Sequence, residues 1–348
     1  MRHTTWLTKG VLCGVMVGLL MLAAWTPVLS LGAGGGPSPA GEEGQLVVHT
    51  RLAAPDELSW LRQRVGVYEE GRNYNLLVDG HGTGLAPPTH EDWEAMDGQV
   101  RVLDDVESSG LDGAPAAVDN SQDVWFPPIG NQDGEGSCVC FAVGYYAKTY
   151  QEAREHNWDL SGAAWEGGYY GHPSPAYQDR IMSPDFIYHQ ILYWDGDDGG
   201  STYYDAMSLV RDIGCSSWES MPYDPTDSTS WPGEAAWREA PLYRGQSGYT
   251  YAYATTDSHL EDLKTYLSGD HLAVISVNAN YYSSLTGSDL WTVDNYDGSS
   301  TNHANTIVGY DDNFGPYTEE GATRYGAFKV ANSWGTGGWE NIADGFYW

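Results

Sequence analysis

Positive charge is what this sequence has least of. Sixteen Lys and Arg stand against 48 Asp and Glu in 348 residues, a formal net charge of −32. The lysines number four: Lys9, Lys148, Lys264 and Lys329. A chain this acidic repels nucleic-acid phosphates and anionic lipid, which excludes both as partners. The surplus fits either an ordinary solvated acidic surface or an adaptation to salt, in which carboxylates keep the surface hydrated. Cysteine is scarce too, at four residues. Long apolar runs are missing apart from Val11 to Trp25, so no other segment is able to cross a membrane as a helix.

That run follows Arg2 and Lys9 and precedes Val28-Leu29-Ser30, the order of a secretory signal: basic start, apolar middle, small-residue end. Its 15 residues fall short of the roughly 20 that a spanning helix needs. Residues 1–30 are therefore expected to be a signal peptide and the protein to be secreted; left uncleaved, the segment would hold it at the cell surface. Cleavage leaves 318 residues (348 less 30), enough for about two domains or lobes and a sizeable core. Losing Arg2 and Lys9 takes the charge from −32 to −34. Losing Cys13 leaves Cys138, Cys140 and Cys215, an odd number in an oxidising compartment. At least one thiol is then free or paired between chains. Cys140 and Cys215 fit either a disulfide or two separate buried thiols.

A hydrophobic content of 41% and an aromatic content of 13% belong to a folded chain. Residues 31–45, "LGAGGGPSPAGEEGQ", read as a flexible linker. Residues 46–120 are acidic and mixed, with one or two short strands and a short helix starting near Thr89. His81, between two glycines, reads as a turn residue. From 121 the texture becomes dense in Gly, Trp and Tyr. Ser137 is placed to cap a helix from Cys138 to about His156. Ser183-Pro184-Asp185 opens a second helix, and Ser201 or Thr202 a third that Gly214 ends. Ser258 to Glu261 reads as a capping box opening a fourth, closed by Gly269. The pattern then turns to strands over 271–280, 302–312 and 325–334. Helices first and strands second predict two lobes, one α and one β, with a cleft between.

The stretch "GNQDGEGSCVCF" (130–141) carries the sharpest chemical signal. A cysteine at a helix start feels the positive end of the helix dipole, which favours thiolate, and Cys138 stands there. Cys140, two residues on, points elsewhere. A thiol nucleophile needs a base, and the base needs an orienting group. Of the ten histidines, His303 stands out, at the front of a strand in the β half, with an Asn on the next strand. Two acidic stretches, "DGDDGG" (195–200) and "DNYDGSS" (294–300), have oxygen ligands without the full EF-hand spacing and read as solvated loops. No His/Cys cluster has zinc spacing.

Three blocks, "NQDGEGSC", "NHANTIVGY" and "ANSWGTGGWEN", resemble the signature blocks of papain-like cysteine peptidases, in the family's chain order, over about 121 to 348. The resemblance implies Cys138 as nucleophile and His303 as its acid/base partner. It implies Asn332 as the residue orienting His303, Gln132, six positions before Cys138, as the oxyanion donor, and Trp334 as the cover over the His303–Asn332 bond. Gly199-Gly200 resembles the pair that binds extended substrate, and "MPYD" (221–224) a segment of the helical lobe. The fold implied is α+β and two-lobed: a helical lobe with the nucleophile, an antiparallel β lobe with His and Asn, and the C-terminal strands truncated at Trp348. The partner implied is a protein or peptide substrate, with no cofactor and no metal. No pattern sets an oligomeric state.

The sequence departs from the family at Val139 (usually Trp), Cys140 (usually Ala) and Glu135 (a common disulfide cysteine), and Glu135 is expected to raise the Cys138 pKa slightly. The interval from Cys138 to His303, 165 residues, is long, and "DDNFGPYTEEGATRY" reads as a loop insertion. Residues 31–120 have a length suited to a removable inhibitory propeptide, or form a permanent accessory region. The expected organisation is 1–30 signal, 31–120 linker plus propeptide-like or accessory region, and 121–348 peptidase domain. The activity expected is peptide-bond cleavage through an acyl-thioenzyme. Its rivals are a non-catalytic binding protein on the same scaffold and a related acyl-transferase or amidase.

Overall fold

The computed structural model describes residues 46–108, 113–193, 198–245, 249–285, 289–337 and 342–348, together with the backbone of 20–23. The linker 31–45 and nearly all of the segment expected to be a signal lie outside these residues. The exception is Leu20–Ala23, within the apolar run, whose backbone forms a strand between Tyr249–Ala252 and Ala273–Val277. Among the described residues no helix is long and apolar enough to cross a membrane.

The architecture is α+β. The nine-stranded sheet runs, in spatial order, Phe346–Tyr347, Ala327–Ala331, His303–Asp311, Ala273–Val277, Leu20–Ala23, Tyr249–Ala252, Arg101–Ser108 and Leu46–Leu52; Ala117–Asp119 also pairs with His303–Asp311. All pairings are antiparallel except Arg101–Ser108 with Tyr249–Ala252. The central strand His303–Asp311 is buried from His303 to Tyr310, which is why its sequence is a continuous run of small and β-branched residues. The insertion after it folds on itself as a hairpin, Tyr317–Glu319 with Ala322–Arg324.

The helices behave largely as their caps predict. Thr89, Ser183 and Thr202 each accept an N–H three residues on with their side-chain oxygens. The helix Asp257–Ser268 is capped by Thr256, two residues earlier than expected, and ends at Gly269. Ser137 does not cap the helix that begins at Cys138; its hydroxyl pairs with that of Tyr223 at 2.8 Å. A helix over Pro55–Val65 was not expected from the sequence. Its start lacks a side-chain cap, and the Glu57 carboxylate instead reaches back to the Ala54 N–H at 2.8 Å.

The helix that Cys138 opens comprises an α turn, Cys138–Cys140, a π-wound stretch, Phe141–Lys148, and a second α segment, Thr149–Glu155. Gly144 lets the helix Pro184–Ile191 approach, since a Cβ there would stand 2.6 Å from Ile187 Cδ1. Val139, Ala142 and Val143 pack with Phe186, Ile187 and Val210 in one core, while Phe141, Tyr145 and Tyr146 pack with Trp218 and Val308 in another. The helix thus lies between the helical side and the sheet. Thr306 Oγ1, on the strand that begins with His303, donates to Ala142 O at 3.4 Å. Cys138, Cys140 and Cys215 are all buried free thiols, so the Cys140–Cys215 disulfide does not form.

Candidate active site

His303 opens its strand and Asn332 immediately follows the neighbouring strand Ala327–Ala331, so sheet pairing brings them together across 29 residues. His303 Nε2 lies 2.7 Å from Asn332 Oδ1. That oxygen also accepts from Asn305 Nδ2 and from the Ser333 N–H, each at 2.8 Å. The Ser333 N–H, an obligate donor, identifies the atom as oxygen, so Nε2 carries the proton and Nδ1 the lone pair. Nδ1 is buried without a hydrogen-bond partner. Trp334 packs on His303 with ring centroids 4.8 Å apart and is 2% exposed, which keeps water from the bond.

Cys138 begins its helix, fully buried, with its thiol against the backbone N–H of Ala304, the neighbour of His303. Burial pushes the thiol up to about 12, against weaker stabilisation by the Ala304 and Val139 N–H groups. Burial likewise drives His303 down to about 3. The pair is therefore neutral, not the thiolate that the helix dipole alone favours: removing water outweighs the dipole. The carboxylate that acts on Cys138 is Asp198, whereas Glu135 acts on Cys140.

Gln132 is fully buried in the loop before the helix. Its Oε1 accepts the Ser333 hydroxyl at 2.6 Å, and its Nε2 donates to Glu135 O at 2.7 Å and to Thr83 O at 3.4 Å. Tyr223, of the "MPYD" segment, donates its hydroxyl to Gln132 O at 2.8 Å. Cys138, His303, Asn332, Gln132 and Trp334 therefore converge.

What excludes the water comes from the N-terminal region. Gly82-Thr83-Gly84-Leu85-Ala86 runs extended along the convergence point. Gly82 N–H donates to Asp133 O at 2.7 Å, and Trp334 Nε1 donates to Gly82 O at 3.1 Å. Ser201 N–H donates to Gly84 O at 2.8 Å, Ala86 N–H to Ser201 O at 2.9 Å, and Leu85 N–H to Asn302 O at 3.1 Å. A Cβ at Gly82 would overlap the Glu135 carbonyl and one at Gly84 (φ +112°) the Gly136 carbonyl, so only glycine permits this passage. His81, at a turn as expected, also stacks on Trp334 at 4.9 Å. Gly199 O accepts the Tyr74 N–H at 3.2 Å and Gly200 N–H donates to the Tyr188 hydroxyl, while Ser201 makes the backbone pairing with Gly84 and Ala86. Sequence reasoning missed Thr83, Gly84 and Ser201; the alternating glycines of "GHGTG" (80–84) were the available sign.

The two acidic stretches use protein donors where they are described. Asp198 accepts from Gly136 N–H, Asn75 Nδ2 and the Tyr188 hydroxyl, and Asp297 from the Ser299 N–H. Residues 195–197 lie outside the described residues.

No protein-family model matches the chain, and no curated protein matches it. The fold is similar to that of solved structures. One is xylellain, a cysteine protease from Xylella fastidiosa (TM-score 0.47, 21% identity, 68% of this chain and 80% of that one). Another is digestive procathepsin L 3 of the Tenebrio molitor larval midgut (TM-score 0.45, 16% identity, 68% and 64%). A third is a recombinant stem bromelain precursor (TM-score 0.43, 14% identity, 79% and 70%).

Proposed function

We propose that the chain is the precursor of a secreted, papain-like cysteine endopeptidase that cleaves peptide bonds through an acyl-thioenzyme. The observation that carries this reading is the His303–Asn332 bond. Held at 2.7 Å through Nε2, the imidazole keeps its Nδ1 lone pair free, one residue from the N–H that the Cys138 thiol touches. In the open enzyme, proton transfer from Cys138 to His303 creates the nucleophile, which attacks the scissile carbonyl. Gln132 Nε2 and the Cys138 N–H receive the oxyanion, one such donor being worth about 3 kcal/mol. His303 protonates the leaving amine, then activates water to release the acyl group. Asn332 and Trp334 hold the imidazole in register throughout.

Residues 31–120 act as the inhibitory segment in this reading, with Gly82 to Ala86 in the cleft where substrate would lie. The Thr83 carbonyl meets the oxyanion donor, and Gly84 takes the backbone pairing of Ser201. The site is dry and the catalytic pair neutral for as long as the segment stays.

The test is alkylation with limiting reagent at about pH 5.5, where an ordinary thiol of pKa about 8.5 is nearly inert. Labels are located by mass spectrometry before and after proteolytic removal of the N-terminal region. Selective labelling of Cys138 after removal, lost in His303→Ala and accompanied by hydrolysis of a fluorogenic peptide to the free acid, is the expected result. Labelling of Cys138 no faster than Cys140 or Cys215 in the processed chain would sink the peptidase reading. Transfer to an added amine in place of water would assign an acyl-transferase.

A further inference from the structure

A second group of reactive side chains lies beside the catalytic loop and takes no part in the chemistry above. Glu135, Asp185 and His189 each present one ligand atom, and these atoms lie within 4.8 Å of one another. Their surroundings are dry: Glu135 and Asp185 are each 1% exposed, and the His189 side chain 3%. Asp185 Oδ1 and His189 Nε2 are buried with no hydrogen-bond partner, and the Glu135 carboxyl has only the Ser137 and Tyr223 hydroxyls beside it. Two such atoms facing each other contradict the general rule that buried polar groups are satisfied. The charged groups acting on the two carboxyls do not help, since they are acids: Asp198 beside Glu135, and Asp224 and Asp227 beside Asp185.

The free atoms are also held in position. His189 Nδ1 lies 2.6 Å from the Ser230 carbonyl, an acceptor only, so Nδ1 carries the proton and Nε2 presents a lone pair. Nε2 stands 3.6 Å from Asp185 Oδ1. Asp185 Oδ2 accepts the Asp224 N–H at 2.8 Å, which turns Oδ1 toward the group. Asp185 and His189 sit one turn apart on Pro184–Ile191, on a single face. A backbone carbonyl behind the imidazole and a backbone N–H behind the carboxylate are the outer supports that metal ligands use.

We propose that Glu135, Asp185 and His189 bind one divalent transition-metal ion of the zinc class, fastening the loop that bears Gln132 and Cys138 to the helix Pro184–Ile191. Ligands about 2.1 Å from a tetrahedral ion stand about 3.4 Å apart, so the Asp185–His189 separation already fits and Glu135 closes by a small side-chain movement. One imidazole with two carboxylates suits zinc or its first-row neighbours; calcium asks for six or more oxygens. The ion supplies the positive charge that the acids around these two carboxyls do not, and it leaves the fourth position to water. Glu135 O already accepts from Gln132 Nε2 at 2.7 Å, so clamping Glu135 also steadies the oxyanion donor.

The site is tested in the full chain carrying Cys138→Ser, which removes the reactive thiol as a competing ligand. After chelator treatment the protein is titrated with Co²⁺ and followed by visible absorption, with zinc as competitor and thermal unfolding recorded alongside. One Co²⁺ per chain is expected, with d–d bands, no thiolate charge-transfer band, displacement by zinc and a higher unfolding temperature with metal. Glu135→Gln and His189→Gln are each expected to weaken binding by at least about tenfold. Absence of saturable binding in the parent protein, which needs no variant to fold, overturns the proposal. So do bands that persist in His189→Gln. Either result would leave a proton shared among the three groups as their means of coexistence.

Discussion

The backbone carbonyl of Thr83 stands 3.4 Å from Gln132 Nε2, as a hydrogen-bond acceptor for the amide that also donates to Glu135 O at 2.7 Å. The two residues are 49 positions apart, and the contact couples the N-terminal region to the loop that presents the thiol.

Release of the segment is set by close backbone approach. Gly82→Ala and Gly84→Ala each insert a Cβ into a carbonyl oxygen of the loop Glu135–Gly136. Both are expected to speed alkylation of Cys138 in the unprocessed chain. Trp334→Phe removes the indole donor to Gly82 O (3.1 Å), worth about 1 kcal/mol, and should raise the same rate about fivefold. Unchanged labelling kinetics in all three would show that the segment does not guard the thiol.

Gln132→Ala separates binding of the oxyanion from formation of the nucleophile. In the processed enzyme kcat is expected to fall about 10²- to 10³-fold. The alkylation rate of Cys138 at about pH 5.5 should change little, because Cys138 and His303 remain. Equal losses in both assays would mean that Gln132 positions the loop only.

Acid should weaken the closed chain through His303. Its pKa is lowered from 6.5 to about 3 by burial, so the unfolded chain binds the proton more readily between those values. The contribution is present in full above about pH 6.5 and is lost as pH falls toward 3, at up to about 1.4 kcal/mol per unit. In a Cys138→Ser background, His303→Gln removes this component. Denaturant midpoints should show the stability difference between parent and variant shifting by about 2 kcal/mol between pH 6.5 and 4.5. A constant difference across that range would refute the buried neutral imidazole.

The thiol content follows from the three buried free cysteines. Titration of the denatured, unreduced chain over residues 31–348 is expected to give three thiols, and reducing agent should leave the unfolding temperature unchanged. A single thiol would restore the Cys140–Cys215 disulfide.

Much of the helical side was legible because capping is local: Thr89, Ser183 and Thr202 meet their acceptor geometry within three residues. The helix Pro55–Val65 was not, since its start relies on the Glu57 carboxylate and no side-chain cap. Ser137 reads as a cap but is claimed by Tyr223, 86 positions away, a competition no local rule reveals. The strand at Leu20–Ala23 shows the same limit, because an apolar run fits a secretory signal and a sheet interior equally well.

The candidate groups and their order along the chain were available from the sequence, Cys138 and His303 by their local contexts, Gln132 and Asn332 through the resemblance of their blocks to papain-like peptidases. Their protonation was not. Thiolate or thiol, imidazolium or imidazole, depends on how much water the site holds, and that was decided by Gly82 to Ala86 arriving from far upstream. Glu135, Asp185 and His189 make the same point. No spacing between position 135 and the pair at 185 and 189 suggests a ligand set, and only chain folding carries their ligand atoms into one dry volume, where the energy of a buried charge depends on its neighbours in space.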